Sequence, residues 1–184
     1  MYKLKTSIEL PIAHCLYRGA YSGLCCGNVY RDKGQCDGKN DRYDLGDKVL
    51  PILHGHNYII TITVESENLD KNNMVIDFKQ LKKVIHEYFD QYDHSMILTP
   101  DNPLVEVYKK NFAENGIDFE RSRLFVWPEN PTAEYMSKYW HDCLTELINK
   151  ELHKTWLLNN NACIIDSLTV EVEETTHNSV TYID

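Results

Sequence analysis

The sequence predicts an α+β fold in which two helices cover one face of a sheet, in the order strand, strand, helix, helix, strand, strand. Three observations support this prediction. Apolar residues alternate near both ends of the chain, they recur with a helical period in two segments between, and a turn sequence separates the last two strands. With 184 residues, 42% hydrophobic and 26% charged, the chain has the composition of one ordinary globular domain.

Two strands begin the fold. Apolar residues alternate along residues 2–14 and again along residues 53–65, which is the pattern of strands with one buried face. His14 lies at the end of the first strand, and His54 and His56 lie at the start of the second, all on the apolar parity. We therefore expect the three imidazoles to point toward the same side as the core.

Between these strands the apolar pattern disappears. Residues 18–50 are rich in Gly, Asp, Lys and Asn, which predicts a long loop inserted into a single domain spanning residues 1–184. Because residues 101–184 carry 7 basic and 15 acidic groups, an anionic ligand should be met by cations of the first half of the chain. The available ones are Arg18, Arg31, Lys33, Lys39 and Arg42.

Two helices follow. Asp77 can cap the first, whose apolar residues have a 3.6-residue period and which should end near Asp90. Asn130 and Pro131 are the expected cap and first residue of the second helix. Residues 95–130, between the helices, show no period and predict an irregular segment.

The chain ends in a predicted antiparallel hairpin. Apolar residues alternate on both sides of a turn candidate at residues 176–178. Glu174 continues the parity of Leu168, Val170 and Val172 and should therefore point toward the covered face, where a carboxylate needs partners. Such a carboxylate can accept hydrogen bonds from the N–H edge of a flat heterocycle, or it can simply be a salt-bridged residue at a strand end.

Composition excludes several classes of protein. The net charge of −9 argues against a general nucleic-acid or anionic-membrane surface. No run of roughly 20 apolar residues could span a bilayer, and the N-terminal residues lack the apolar core of a signal peptide, so we expect a soluble cytoplasmic protein. The 6 cysteines are irregularly spaced, which favours thiols in a reducing compartment over a disulfide framework.

The histidines form the sharpest candidate site. His54 and His56 project from the same face of a strand, and His14 ends the neighbouring inward-facing strand. Three neutral imidazoles with an open fourth position are typical of a catalytic zinc ion. Taken alone, the same motif also fits two histidines that bond to loop carbonyls at the start of a strand.

Two further groups of residues are weaker candidates. Asp93 precedes His94, and a carboxylate beside an imidazole can orient it for proton transfer, although the pair also suits a polar corner after a helix. Thr132 and Glu134 lie at a helix N-terminus, where backbone N–H groups favour polar ligands or ordinary capping.

Taken in order, these motifs resemble those of the 6-pyruvoyl-tetrahydropterin synthase / 6-carboxy-tetrahydropterin synthase family. The similarity covers nearly the whole chain. It is carried by His14, His54-Gly55-His56-Asn57-Tyr58, Met74-Val75-Ile76-Asp77-Phe78, Asp93-His94, Pro131-Thr132-Ala133-Glu134 and Val172-Glu173-Glu174-Thr175.

The resemblance implies a tunnelling fold (T-fold), a four-stranded antiparallel sheet with two helices on one face, in a homo-oligomer that is commonly a hexamer. It also implies roles for individual residues. By that likeness zinc is held by His14, His54 and His56, proton transfer involves Asp93 and His94, Glu174 anchors the pterin ring, and the pocket is lined by Thr132 and Glu134.

The substrate implied by the family is 7,8-dihydroneopterin triphosphate. We favour the enzyme that forms 6-carboxytetrahydropterin on the queuosine and deazaguanine route, with loss of acetaldehyde and triphosphate. The alternatives are the pyruvoyl-forming synthase of the tetrahydrobiopterin-type pathway, a non-catalytic pterin- or purine-binding protein of the same fold, and a purely structural metal site.

One feature departs from the family pattern. The family's catalytic cysteine stands a few residues before the HGH motif, where this chain has Lys48, Val49 and Leu50. Counted from His14 instead, Cys26 is the best candidate for the catalytic base. The alternatives are Cys25 and Cys36, or a loop carboxylate such as Asp44 or Asp47.

Overall fold

A computed structural model describes residues 1–16, 53–159 and 165–183 of the chain. The predicted insertion at residues 18–50 lies outside these ranges. So do the candidate catalytic residues Cys25, Cys26 and Cys36, and the candidate cations of that segment.

Six strands and three helices make up the described part of the chain. Their bounds, in chain order, are β1 Tyr2–His14, β2 His54–Ser66, α1 Phe78–Phe89, β3 Ser95–Leu98, α2 Pro103–Glu114, β4 Leu124–Val126, α3 Ala133–Asn159, β5 Ser167–Thr175 and β6 Asn178–Ile183. Short 3-10 turns occupy Asp90–Tyr92 and Phe119–Arg121. None of these helices is long and apolar enough to cross a membrane.

The strands form one six-stranded sheet in the order β4-β3-β1-β2-β5-β6. The expected four-stranded sheet with two helices is therefore wrong in its counts. The four predicted strands do lie side by side as β1-β2-β5-β6, and β3 and β4 extend the sheet beyond β1. The β2–β5 and β5–β6 pairs are antiparallel, and residues 176–177 form the turn of the predicted C-terminal hairpin.

The prediction that residues 95–130 are irregular is wrong. The segment contains β3, α2, a 3-10 turn and β4. Asn102 caps α2 by accepting a hydrogen bond from the Leu104 amide at 2.9 Å, and Pro103 is the first helical residue. The strands on either side are only 4 and 3 residues long, too short to show an alternating pattern.

The chain divides into two compact units. The first unit contains most of the sheet core together with α1 and α3, and the second contains α2. The first comprises Met1–Ala13, Gly55–Met96 and Thr132–Asp184, and the second comprises His14–His54 and Ile97–Pro131.

The core of the first unit lies on one face of the sheet. The antiparallel register pairs Ile60 with Val172 and Ile62 with Val170, and all four side chains are fully buried. The helix α3 packs against β5 and β6, and α1 packs against α3. Burying such side chains contributes roughly 1.5–3 kcal/mol each.

Both main helices begin at short polar caps. Asp77 accepts a hydrogen bond from the Lys79 amide at 2.7 Å, which confirms the predicted start of α1. The second predicted helix starts at Ala133, two residues later than expected, because Thr132 is the residue that caps it: its hydroxyl accepts from the Tyr135 amide at 3.2 Å. Pro131 instead remains outside the helix.

Aromatic side chains join the two helices of the first unit. Phe89 and Tyr92 pack edge to face on the fully buried Trp140, at centroid distances of 5.3 and 5.6 Å. Burial, together with the neighbouring Tyr92 and Cys143, raises the pKa of Tyr88 above its usual 10.0. The phenol of Tyr88 therefore stays protonated in the folded protein at pH values at which an unfolded chain ionises.

This shift predicts a loss of stability in alkali. The contribution of Tyr88 is complete below pH 10.0, its usual pKa, and is lost as the pH rises toward the raised folded-state pKa. Well above pH 10, the free energy of unfolding should fall by up to about 1.4 kcal/mol per pH unit from this group. Urea denaturation of the wild type and of Tyr88→Phe across this range measures it, and equal slopes in the two proteins would contradict the prediction.

Candidate metal centre and adjoining carboxylate

His14 is held in place at the end of β1. Its side chain is buried, with 2% of its surface exposed. Its Nδ1–H donates a hydrogen bond to the backbone carbonyl of Pro131 at 2.8 Å. This bond fixes both the tautomer and the ring orientation, so the lone pair is on Nε2. The carbonyl is available because α3 begins only after Thr132.

His54 and His56 lie at the start of β2. Because they are two residues apart on one strand, both rings project from the same face. The Nε2 atoms of His14 and His54 are 3.1 Å apart, and their ring centroids are separated by 4.5 Å. One ligand nitrogen from each of the three histidines lies within 4.8 Å of the other two. The predicted convergence of the three rings is therefore confirmed.

The spacing fits a bound metal ion. Metal–nitrogen bonds of about 2.0–2.1 Å in a tetrahedron place two ligand nitrogens roughly 3.3–3.4 Å apart. The 3.1 Å separation of His14 and His54 is close to that value. The whole group lies within 4.8 Å, so bringing its widest pair to the tetrahedral spacing takes a shift of no more than about 1.5 Å. Three neutral imidazoles supply three protein ligands and leave a fourth position to a small molecule.

Glu174 lies beside His56, near the end of β5. The hydroxyl of Tyr58 donates a hydrogen bond to Oε1 of Glu174 at 3.2 Å, and Nε2 of His56 is 3.7 Å from the same oxygen. The side chain of Glu174 is 29% exposed. A half-buried carboxylate therefore lies beside His56 of the candidate metal centre, more exposed to solvent than the buried apolar side chains whose parity it continues.

Tyr58 is a neutral donor in this arrangement. Burial raises its pKa, and the adjacent Glu174 carboxylate raises it further. Its ring also packs edge to face on His56, with centroids 5.5 Å apart. A single side chain therefore touches both a histidine of the metal centre and the neighbouring carboxylate.

Asp93 and His94 form a pair of their own. Oδ2 of Asp93 is 3.0 Å from Nδ1 of His94, and the His94 side chain is largely exposed. The backbone of His94 is left-handed, with a φ of 54°, which for a residue with a Cβ costs roughly 1–2 kcal/mol. This strained residue turns the chain from the 3-10 turn into β3, and it holds an exposed imidazole against a carboxylate.

Thr132 and Glu134 lie in the first turn of α3. Thr132 caps the helix, and Glu134 is an exposed acid that interacts favourably with the helix dipole. Thr132 therefore has the capping role that the sequence left open, and the part of either residue in binding a ligand stays a prediction. Thr132 directly follows the carbonyl that orients His14, which connects it to the metal centre through the backbone.

Two contributors to the site are absent from the sequence-based prediction. The Pro131 carbonyl is a backbone group, and no side-chain pattern reveals its use. Tyr58 could have been found, because it shares the parity of His54 and His56 and carries a hydroxyl that needs a partner when buried.

Comparison with known proteins finds relatives that are named for tetrahydropterin synthesis. The sequence profile of the family described as 6-pyruvoyl tetrahydropterin synthase matches residues 12–184. Two similar proteins are each called 6-carboxy-5,6,7,8-tetrahydropterin synthase. The one from Aquifex aeolicus is 31% identical over 98 residues, covering 53% of this chain and 58% of that protein. The one from Rickettsia typhi is 31% identical over 99 residues, covering 50% of this chain and 67% of that protein.

Solved structures agree at the level of the fold. The 6-pyruvoyltetrahydropterin synthase of Plasmodium vivax aligns with 99% of this chain and 98% of its own, with a TM-score of 0.57 and 17% identity. That of Plasmodium falciparum aligns with 98% and 96%, with a TM-score of 0.54 and 17% identity. Because the family profile spans nearly the whole sequence, the chain belongs to the 6-pyruvoyl tetrahydropterin synthase family.

Proposed function

We propose that this protein is a zinc-dependent 6-carboxy-5,6,7,8-tetrahydropterin synthase. It would convert 7,8-dihydroneopterin triphosphate, with loss of acetaldehyde and triphosphate, on the route to queuosine and other deazaguanines. The observation that carries the proposal is the group of three histidine nitrogens within 4.8 Å of one another, bordered by the Glu174 carboxylate.

The relatives support the carboxy-forming reaction over its alternative. The proteins at 31% identity bear that name, although the alignment with the Aquifex protein covers only 58% of its length. The pyruvoyl-forming reaction appears in the description of the whole family and in solved structures that are 17–18% identical to this chain, and neither distinguishes the two products. A pyruvoyl-forming synthase is therefore the second candidate, and a non-catalytic pterin-binding protein is the third.

The residues divide the work between holding the substrate and moving protons. His14, His54 and His56 would hold zinc, which when bound polarises an oxygen of the substrate side chain and makes it more acidic. Glu174 would accept hydrogen bonds from the N–H edge of the pterin ring, a planar donor that suits a carboxylate bidentately. The ring and its side chain are thereby fixed relative to each other.

Proton transfer falls to Asp93 and His94 together with a base from the loop. Asp93 orients the His94 imidazole through their 3.0 Å contact, and the exposure of His94 lets its ring exchange protons with substrate or solvent. Thr132 and Glu134 would line the same pocket. We assign the loop base to Cys26, with Cys25 and Cys36 as alternatives, because a thiol near zinc is readily converted to the thiolate.

A carboxylate base is the remaining alternative for the loop. The Plasmodium vivax enzyme is described with a glutamate-to-alanine catalytic residue mutant, which shows that a carboxylate serves as a catalytic residue in that protein. Asp44 and Asp47 are the matching candidates in this chain.

Product analysis tests the reaction directly. With 7,8-dihydroneopterin triphosphate as substrate, the wild type should release one acetaldehyde and one triphosphate per turnover. Acetaldehyde is measured by its reduction with alcohol dehydrogenase and NADH, and triphosphate by ion chromatography. Triphosphate without acetaldehyde would assign the pyruvoyl-forming reaction, and the release of neither, with pterin still bound, would assign a binding protein.

Metal content tests the histidine site independently of activity. Replacing His14, His54 or His56 by Ala should each reduce zinc to well below one equivalent per chain, because two imidazoles hold the ion far more weakly than three. Elemental analysis of the purified proteins gives the stoichiometry. His86→Ala, on the exposed side of α1, is the matched control and should keep its zinc.

Full occupancy in all three histidine variants would contradict the assignment. Circular dichroism after chelation separates a catalytic from a structural metal. A catalytic site should lose turnover and keep its secondary structure, whereas unfolding on chelation would identify a structural site.

The loop base is identified by single substitutions. Cys26→Ala should lower kcat by at least about 100-fold with little change in zinc content, since a general base contributes on the order of 10² to 10⁴ in rate. Cys143→Ala, which removes a thiol of α3 outside the loop, is the matched control and should keep wild-type turnover. If Cys25→Ala, Cys26→Ala and Cys36→Ala all retain wild-type turnover, the base is not a thiol, and Asp44→Asn and Asp47→Asn become the informative variants.

The proposal includes a cytoplasmic homo-oligomer, a hexamer by family resemblance, with the small pterin triphosphate as its ligand and neither nucleic acid nor membrane as a partner. The net charge of −9 supports the exclusion of polyanions.

A further inference from the structure

Tyr58 contacts both Glu174 and His56. Its side chain is fully buried at the start of the core face of β2. The register that pairs Ile59 with Glu173 puts Tyr58 beside Glu174 on the neighbouring strand. Side chains directly opposite each other in an antiparallel pair are within contact distance, so the sheet itself brings the phenol to the carboxylate.

The hydroxyl group of Tyr58 has a specific use. The ring alone would fill the core as well if it were phenylalanine, but a buried hydroxyl must be hydrogen-bonded. It donates to Oε1 of Glu174 at 3.2 Å. Glutamate has three rotatable side-chain bonds and here lies 29% exposed at the end of a strand, so a donor from the rigid core restricts where its carboxylate can point.

The ring of Tyr58 has a second contact. It packs edge to face on His56, with centroids 5.5 Å apart and planes at 67°. Groups that pack on or hydrogen-bond to a metal-binding histidine fix its ring orientation and influence metal affinity. The hydroxyl and the ring of one residue therefore act on different members of the site.

We propose that Tyr58 is a positioning residue that couples pterin recognition to the metal centre. Its hydroxyl aims the Glu174 carboxylate at the heterocycle, and its ring holds the plane of His56. This inference rests on the proposed function, in which Glu174 anchors the pterin and His56 helps to hold zinc. The two halves are separable, because phenylalanine removes the hydroxyl and keeps the ring, whereas an aliphatic residue removes both.

Neopterin, which is fluorescent and is not turned over, serves as the binding probe, and zinc content is measured in parallel. Tyr58→Phe should weaken neopterin binding by about tenfold, which is the value of a hydrogen bond to a charged group. It should raise KM for 7,8-dihydroneopterin triphosphate by a similar factor, with a smaller effect on kcat and full zinc content. Tyr108→Phe, whose ring packs on Phe112 in α2, is the matched control and should bind neopterin like the wild type.

A double-mutant cycle tests whether the hydroxyl acts through Glu174. Glu174→Gln should weaken neopterin binding, and adding Tyr58→Phe to it should have little further effect. Additive losses, or an unchanged affinity in Tyr58→Phe alone, would overturn the role of the hydroxyl while leaving the proposed function intact. A wild type that binds no neopterin would instead overturn the proposed function, and with it this role.

The ring is tested by metal affinity. Tyr58→Leu should weaken zinc binding by roughly tenfold or more in a competition with a chromogenic chelator, whereas Tyr58→Phe should match the wild type. Circular dichroism verifies the fold of each variant, and Tyr58→Met replaces Tyr58→Leu if the latter does not fold. Equal zinc affinities in the aliphatic variant and the wild type would overturn the role of the ring.

Discussion

The alternation of side chains across the sheet is the constraint on which both the core and the site depend. On β2, the face that buries Ile60 and Ile62 is also the face on which Tyr58 and His56 project. A slip of one residue in the pairing with β5 would send the hydrophobic side chains to the other face and would also separate Tyr58 from Glu174. The hydrophobic energy of the core therefore fixes the register that the polar site needs, and the site does not have to specify its own geometry.

Placing polar groups at the end of a buried face has a cost that the structure offsets locally. His14 is almost completely buried, and its ring is satisfied at Nδ1 by a carbonyl that lies just before a helix rather than within it. Glu174 meets a phenol whose raised pKa keeps it a donor. Each polar group thus receives a partner from backbone or core, which leaves the groups preorganised in the absence of a ligand.

The sequence predicts the long elements and fails on the short ones, for physical reasons. In β1, β2, α1 and the C-terminal hairpin, a full buried face or a helical period is visible over nine or more residues. In contrast, β3 and β4 have too few residues to alternate, although Asn102-Pro103 did carry a readable start signal for α2. Parity alone predicts that the three histidines face the same side, whereas their role as a metal-binding set follows from the family resemblance. The hydrogen-bond partner of His14 is a backbone carbonyl, and that of Glu174 is set by the register between two strands. No local sequence pattern predicts either partner.

The distribution of the site over the fold suggests how one scaffold can serve related reactions. The three histidines and Glu174 stand on long strands whose positions are set by the core, so the groups proposed to bind the metal and the pterin ring are held rigidly. The proposed base, by contrast, belongs to residues 18–50, for which the sequence predicts a loop, and loops tolerate sequence change better than core strands do. A carboxy-forming and a pyruvoyl-forming enzyme must bind the metal and the heterocycle in the same way. They differ in where protons are removed and delivered. Under the proposed function, the identity of the product is therefore decided by the loop together with Asp93 and His94. Substitutions on the strands would then affect binding of the metal or the pterin whichever product is made.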